Sequence, residues 1–345
     1  TDLFRRALAT TPDDPGLLGY LGVALHKSGE LEEAEAAYRL SLELAPADLG
    51  ALLNLGITLQ DAGRLEEALG AYREAAERHP SSEAALHRLA DAELAAGRCE
   101  AALAATDKAL ELDPGNPAAI ATRIVALQRL DRTTEAERLS GLDSLVRPLD
   151  PAPPAPFGRV TEFNQALVRH VLDHPTLAYE PDGHATRLGR HTKDLLTGDK
   201  GPAGLLEDMI LAAVDDYLAS LDATDDHPFP GTVPRPHRLA MWAVVMDTDG
   251  HQLPHIHPSA WLSGVYYPEL PESLGSGGED VAGWIEFGLP ADELCGDTDV
   301  PVRLFRPAEG RMFLFPSYLY HRTIPFGGDA RRVSIAFDVL RRPAG

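Results

Sequence analysis

Two histidines at i and i+2, His255 and His257, are followed downstream by His321 and then by Arg332 and Ser334. In this chain of 345 residues these are the positions whose types and spacing suit chemistry. On an extended segment, side chains two residues apart point to the same side. A third imidazole from a distant strand would close a set of three around one face of a metal ion. The remaining positions would stay open to ligands, which suits a non-haem iron site. An arginine two residues before a serine suits a bound dicarboxylate, because the guanidinium fork grips a carboxylate and the hydroxyl adds a donor. Alternation along 331–337 sets Arg332, Ser334 and Ala336 on one face and Arg331, Val333, Ile335 and Phe337 on the other. Arg332 is therefore the expected carboxylate clamp, and Arg331 a cation outside the pocket.

The surrounding residues carry a resemblance. Three stretches matter: His255-Ile-His-Pro-Ser-Ala-Trp-Leu-Ser-Gly-Val-Tyr-Tyr267, Gly283-Trp-Ile-Glu-Phe-Gly288, and Gly310-Arg-Met-Phe-Leu-Phe-Pro-Ser-Tyr-Leu-Tyr-His321 running on to Asp338. In order and content they resemble the Fe(II)/2-oxoglutarate-dependent oxygenases, most closely a bacterial branch of them. The resemblance implies Fe(II) as the metal and 2-oxoglutarate as the cosubstrate. It also implies that 2-oxoglutarate chelates the iron through its 2-oxo acid end and pairs its far carboxylate with the arginine of the late strand. The cosubstrate is decarboxylated to succinate as oxygen is spent on the substrate. Tyr266 or Tyr267 could also donate to the cosubstrate; parity along a strand that a bulge can interrupt leaves the two open, with core packing as the other role.

Most of that superfamily uses His-x-Asp or His-x-Glu as the first pair, whereas this chain has His257 at the second position and no aspartate within two residues of it. Either three neutral imidazoles hold the metal, or His257 is not a ligand and water or another group completes the site. The i+2 spacing favours the first, giving His255, His257 and His321 as the metal set. Such a shell carries one negative charge fewer than the usual triad. Glu286 is the alternative carboxylate, although its neighbours Gly283, Trp284 and Phe287 read as an ordinary strand. His251 reads as solvent-exposed or behind the site. His174, His184, His191, His227 and His237 are scattered without ligand spacing, and His26, His79 and His87 fall on helical repeats.

Short apolar runs rich in Val, Ile, Phe, Trp and Tyr occupy 239–246, 261–267, 283–287, 302–306, 311–315 and 332–340, separated by Gly, Pro and Asp. They fit a jelly-roll barrel, the double-stranded β-helix of cupin-like enzymes. Residues 161–173 and 203–221 show helical apolar spacing and are expected to flank it. Thr186–Thr192, with two arginines and a histidine, reads as a solvated basic loop or as a lid over the pocket.

Upstream, residues 1–140 repeat every 34 residues. Leu21-Gly22, Gly29, Ala34, Tyr38 and Pro46 return as Leu55-Gly56, Gly63, Ala68, Tyr72 and Pro80, and again as Leu89-Ala90, Gly97, Ala102, Thr106 and Pro114. This is the tetratricopeptide pattern of paired antiparallel helices. Phe4, Ala7 and Pro12 match the end of a preceding repeat, so the first repeat is read as truncated and the native N-terminus as missing. Residues 117–140 keep the period but lose the glycine and aromatic positions, as a capping repeat would. Leu149-Asp-Pro-Ala-Pro-Pro-Ala-Pro-Phe157 is proline-rich, so 141–158 is expected to be a linker and 159–345 a separately folded oxygenase domain. The expected fold is an N-terminal α-solenoid followed by a jelly-roll barrel with flanking helices.

A net charge of −22 repels phosphate backbones, arguing against nucleic acid and anionic membranes. No apolar run approaches the roughly 20 residues needed to span a bilayer. Two dispersed cysteines, Cys99 and Cys295, indicate a reducing compartment, and the cytoplasm is the expected location. The expected activity is an Fe(II)/2-oxoglutarate-dependent hydroxylase whose repeat groove takes a protein, peptide or carrier-bound substrate. Two other readings stand beside it: a three-histidine cupin-type dioxygenase that does not use 2-oxoglutarate, and a non-catalytic repeat-based adaptor.

Overall fold

The structure is a computed structural model that describes residues 1–179, 185–221, 227–234, 236–296, 298–327 and 331–341. It divides into two compact units, Thr1–Pro114 and Gly115–Gly345.

The first unit is a stack of helices: α1 (Asp2–Leu8), α2 (Pro15–Lys27), α3 (Leu31–Leu44), α4 (Leu49–Asp61), α5 (Leu65–Arg78), α6 (Glu83–Ala95) and α7 (Cys99–Leu112). The 34-residue period fixes both ends of each helical pair. Asp14, Asp48 and Ser82 cap α2, α4 and α6, each side chain accepting from the backbone N–H three residues on. Caps of this kind are worth about 1 kcal/mol each. Gly29, Gly63 and Gly97 turn the chain between paired helices at φ of 77°, 75° and 76°, a region that glycine enters without strain. The small residues set the packing distance: a Cβ added at Gly22 would lie 2.6 Å from the ring of Tyr38, and one at Gly56 would meet Tyr72 in the same way. Tyr38 and Tyr72 are fully buried, so they serve the core of the stack.

The second unit begins with α8 (Pro117–Arg129) and α9 (Thr133–Ser140), a further helical pair on the same period. Asn116 supplies its cap, and Asp131 holds the left-handed turn at φ 56° where the earlier repeats have glycine. The expected boundary at residue 140 does not coincide with the division of the chain, because this pair packs with the sheet. Arg129 donates to the carbonyl of Leu294, and the buried Tyr318 hydroxyl donates to that of Ser140. The segment expected as a linker is likewise built in. Its residues form β1 (Arg147–Leu149), which pairs with β8 (Met312–Pro316). Arg303 and Arg311 bind Asp143 and Asp150 through paired hydrogen bonds, and the Tyr217 hydroxyl donates to Leu145 O at 2.9 Å.

The remaining elements are α10 (Val160–Leu172), β2 (Ala178–Tyr179), β3 (Thr186–His191), α11 (Pro202–Ser220), α12 (Pro228–Gly231), β4 (Leu239–His255), β5 (Ala260–Glu269), β6 (Ile285–Phe287), α13 (Asp292–Cys295), β7 (Arg303–Phe305), β9 (His321–Thr323) and β10 (Arg332–Leu340). All strand pairs of the sheet are antiparallel, in the order β1-β8-β5-β10-β4-β9-β6-β7, and β3 lies beside β4 with β2 beyond it. This curled sheet, flanked by helices, is the jelly-roll half of the fold. The helices bury one face each: Phe163, Leu167 and Val171 of α10, as their spacing indicates, and Leu206, Ile210, Val214 and Tyr217 of α11, where Leu205 and Ala213 of the expected apolar face are only partly buried. Residues 186–191, read as a loop or lid, are instead a strand paired with β4 across a register shift. His184 lies outside the described residues.

Candidate metal centre

β4 and β9 bring His255 and His321 directly opposite each other in an antiparallel register. The chain leaves β4 and turns through His257, whose carbonyl accepts from Ala260 N and whose amide donates to Ser317 O. Three imidazoles thereby converge, with ring centroids 4.2 Å (His255–His321), 5.1 Å (His257–His321) and 5.2 Å (His255–His257) apart. One ring nitrogen from each lies within 4.8 Å of the other two.

The hydrogen bonds orient the rings. His255 Nδ1 faces Leu253 O at 2.8 Å, and His321 Nδ1 faces Leu319 O at 3.0 Å. His257 Nδ1 faces Asp338 Oδ1 at 2.6 Å. In each ring an acceptor holds the proton on Nδ1, so the Nε2 lone pair is the one available to a metal. Burial, and then the charge of His257, push the His255 pKa down to about 4. Burial and the two neighbouring imidazoles push His321 well below its ordinary value. Both rings are neutral near pH 7, the state in which a histidine binds a metal.

These rings line a cavity of about 340 Å³ that also receives Arg332, Ser334, Ala336 and Tyr267. Arg332 is only 1 % exposed. It donates from Nη1 to Gly283 O at 2.7 Å, and its guanidinium carbon lies 5.1 Å from the centre of the Tyr267 ring. Its Nε has no hydrogen-bond partner, and no acid of the described residues pairs with it. Burial pushes its pKa down from the ordinary arginine value, because a cation held there without an anion loses its hydration. Tyr267 is raised by burial, so its hydroxyl is protonated and able to donate.

The other candidates sort by position. Arg331 lies outside the cavity, paired with Glu269 at 2.8 and 3.1 Å. Tyr266 is not in the cavity either: its hydroxyl donates to Asn164 of α10 at 2.7 Å, and its ring packs on Phe163. Of the two tyrosines left open by parity, Tyr267 is the one that reaches the pocket. Glu286 stands opposite Arg322 in the β6–β9 register and is bound to it, so its carboxylate is already engaged. His251 lies within β4 opposite Arg187, not among the residues that line the cavity, with Nδ1 facing Asp249 O at 3.0 Å.

Sequence reasoning missed four contributors. His191 and Thr186 of β3 line the cavity and bond to each other at 2.6 Å; the strand was hidden by its arginines and its glycine. Trp242 of β4 lines it as well and sits 5.7 Å from the His257 ring. Asp338 was also missed, although the alternation that selects Arg332, Ser334 and Ala336 continues to it.

Two family models match the chain. The family described as "Putative 2OG-Fe(II) oxygenase" matches residues 240–338, which contain the three histidines, Arg332 and Asp338. The tetratricopeptide repeat family matches residues 2–48 and 53–117. Among curated proteins nothing matches. Solved structures resembling the chain include MamA (20% identity, 39% of this chain and 78% of that chain, TM-score 0.37). They also include YrrB (21% identity, 41% and 72%, TM-score 0.36), described as a repeat protein with an unusual peptide-binding site. A tetratricopeptide protein from Parabacteroides merdae is similar at 22% identity over 39% of this chain and 54% of that one, with a TM-score of 0.37.

Proposed function

For a chain that joins tetratricopeptide repeats to a domain of this oxygenase family, we propose an Fe(II)- and 2-oxoglutarate-dependent dioxygenase, a hydroxylase whose substrate is a protein, peptide or carrier-bound group positioned by the repeats. The observation that carries this reading is Arg332, a buried cation without an acid, in the same cavity as three converging imidazoles. A divalent metal fits the imidazoles and a carboxylate fits the arginine; 2-oxoglutarate is a molecule that meets both. When bound, Fe(II) and 2-oxoglutarate supply the oxidising chemistry: oxygen and the cosubstrate are consumed, carbon dioxide and succinate leave, and one oxygen atom goes to the substrate.

The residues of the chain supply position and shielding. His255, His257 and His321 would hold the metal through Nε2. Arg332 receives the far carboxylate, with the Ser334 and Tyr267 hydroxyls as further donors beside it. Trp242, Val244, Ile285 and Phe315 form apolar wall that keeps water from the reacting centre. Tetratricopeptide arrays commonly use an extended concave surface for binding, which is the reason to assign substrate positioning to the repeats.

A three-histidine dioxygenase that binds its substrate directly on the metal has no use for a buried arginine in that place, and an adaptor has no use for the imidazole set. Anaerobic titration with Fe(II) and then 2-oxoglutarate separates the three. The weak visible charge-transfer band of the chelate should appear at one equivalent of each. Iron binding without the band would favour the cupin-type reading, and failure to bind iron would leave the adaptor.

A further inference from the structure

The His-x-His pair lacks the carboxylate that usually accompanies iron in such a site, yet a carboxylate stands directly behind it. Asp338 of β10 is 5 % exposed, and its Oδ1 lies 2.6 Å from His257 Nδ1. The hydroxyl of Ser263 on β5, which has no solvent exposure, donates to the same oxygen at 2.7 Å and sits 3.1 Å from His257 Nδ1. The three groups come from two paired strands and the turn after β4, so their placement is built into the sheet: Ser263 and Asp338 are register partners. Among the described residues the ion-pair partner of Asp338 is His257, with no arginine or lysine beside it. A buried carboxylate with so little positive charge around it is costly unless something cationic lies beyond the imidazole.

We infer that Asp338 is a positioning residue for the metal, accepting the Nδ1 proton of His257, fixing its Nε2 toward the ion, and returning from behind the ring the negative charge that the His-x-His pair lacks. The inference rests on the metal reading above and adds a residue to it. A carboxylate hydrogen-bonded to a ligating imidazole makes the ring a stronger donor and holds its tautomer, and loss of such a partner typically weakens metal binding about 10–100-fold. Ser263 keeps the carboxylate in line by donating to the oxygen that His257 uses. Asp338 touches neither metal nor cosubstrate, so it acts only through His257.

That dependence supplies the test, which reads metal affinity rather than turnover. Co(II) alone is titrated into the full-length protein without oxygen, following its visible absorption. Asp338→Asn keeps an oxygen acceptor but removes the charge, and should weaken Co(II) binding about 10–100-fold. The same substitution made on a His257→Asp background should change affinity less than about threefold, because the imidazole it acts through is gone. Ser263→Ala, a smaller perturbation of the same triad, should weaken binding by less and show the same dependence on His257. Equal losses in both backgrounds would mark a general structural role and overturn the inference, as would an unchanged affinity in Asp338→Asn. Should the unaltered protein and His255→Ala bind Co(II) equally poorly, the metal reading itself falls and the inference with it. Melting temperatures of the metal-free variants verify that each has folded.

Discussion

Replacing Arg332 with leucine separates what the arginine costs the fold from what it contributes to binding. In the ligand-free protein the guanidinium is 1 % exposed, donates to Gly283 O, lies against Tyr267 and leaves Nε unpaired. Its desolvation has therefore been met by folding before any ligand arrives. A carboxylate at about 4 Å in surroundings of effective dielectric about 20 gains on the order of 4 kcal/mol. Subtracting part of this for stripping water from the ligand leaves about 3 kcal/mol, or roughly 150-fold in the dissociation constant of 2-oxoglutarate. Thermal unfolding with and without cosubstrate reads both effects. At a concentration 100 times the dissociation constant, 2-oxoglutarate should stabilise the unaltered protein by about 2.7 kcal/mol, and the variant, 150-fold weaker, by only about 0.3 kcal/mol. The ligand-free variant should melt no lower than the unaltered protein, since a buried, acid-less cation has been exchanged for an apolar side chain of similar reach. Arg331→Leu is the control, because that residue is half-exposed and already paired with Glu269. The reasoning is refuted if both substitutions leave the 2-oxoglutarate shift intact, or if both reduce it equally.

His255→Ala and His321→Ala should each abolish stoichiometric iron binding by metal analysis with the fold preserved, while His257→Asp should retain it; full iron in either alanine variant would remove that residue from the ligand set. Metal-free protein should lose stability as the pH falls from about 6.5 toward 4, because burial holds His255 at about 4 against an ordinary 6.5. The unfolded chain then binds the extra proton first, so the stabilisation is complete above 6.5 and declines below it, by at most about 3 kcal/mol for this group; denaturant midpoints that stay flat across this interval would contradict it. A fragment beginning at Gly115 should fold and bind metal, whereas one beginning at Arg159 should be insoluble or unfold without cooperativity. The shorter piece strips the partners of the buried Tyr217 and Tyr318 hydroxyls, at about 1–3 kcal/mol each, and uncovers the β8 edge. A cooperative unfolding transition in the Arg159 fragment would overturn this.

The repeats were readable because their period is dictated by backbone turns: caps at 14, 48 and 82 and left-handed glycines at 29, 63 and 97 leave fixed residue types at fixed intervals. The long strands were readable from alternation, and Arg332 followed from it. Other features failed for physical reasons. β1 contains Pro148, which a sheet accepts only where the strand is an edge, and edge position is decided by the partner rather than by the strand itself. The choice between Tyr266 and Tyr267 was closed to parity because the β10–β5 register shifts between Val333 and Ile335. Helical spacing over 117–140 marked the pair α8 and α9 correctly but carried no sign of which neighbour it packs on. Glu286 could be set aside only once Arg322 was seen opposite it. Asp338 was legible in principle, since it continues the face of Arg332 and Ser334, yet a carboxylate at a strand end has many uses until His257 is found against it.

The place of β10 has a consequence for how the molecule is made. It lies between β5 and β4, at the middle of the sheet, and is also the last of the sheet's strands in chain order. During synthesis the helices of residues 2–112 can stack as soon as they emerge, each pair on the one before. The sheet has to wait. About 60 residues separate the end of β5 from the start of β10, so at about 5–20 residues per second the flanks of β4 and β5 stay open for roughly 3–12 s. Unpaired edges of that length are where neighbouring nascent chains join and where holding chaperones bind. Arg332, Ser334 and Asp338 arrive together on that strand, so the buried cation of the cavity and the carboxylate behind His257 enter in the same step that closes the sheet. A ribosome that stops short of β10 therefore leaves no partly working site behind, only a split sheet with both halves exposed.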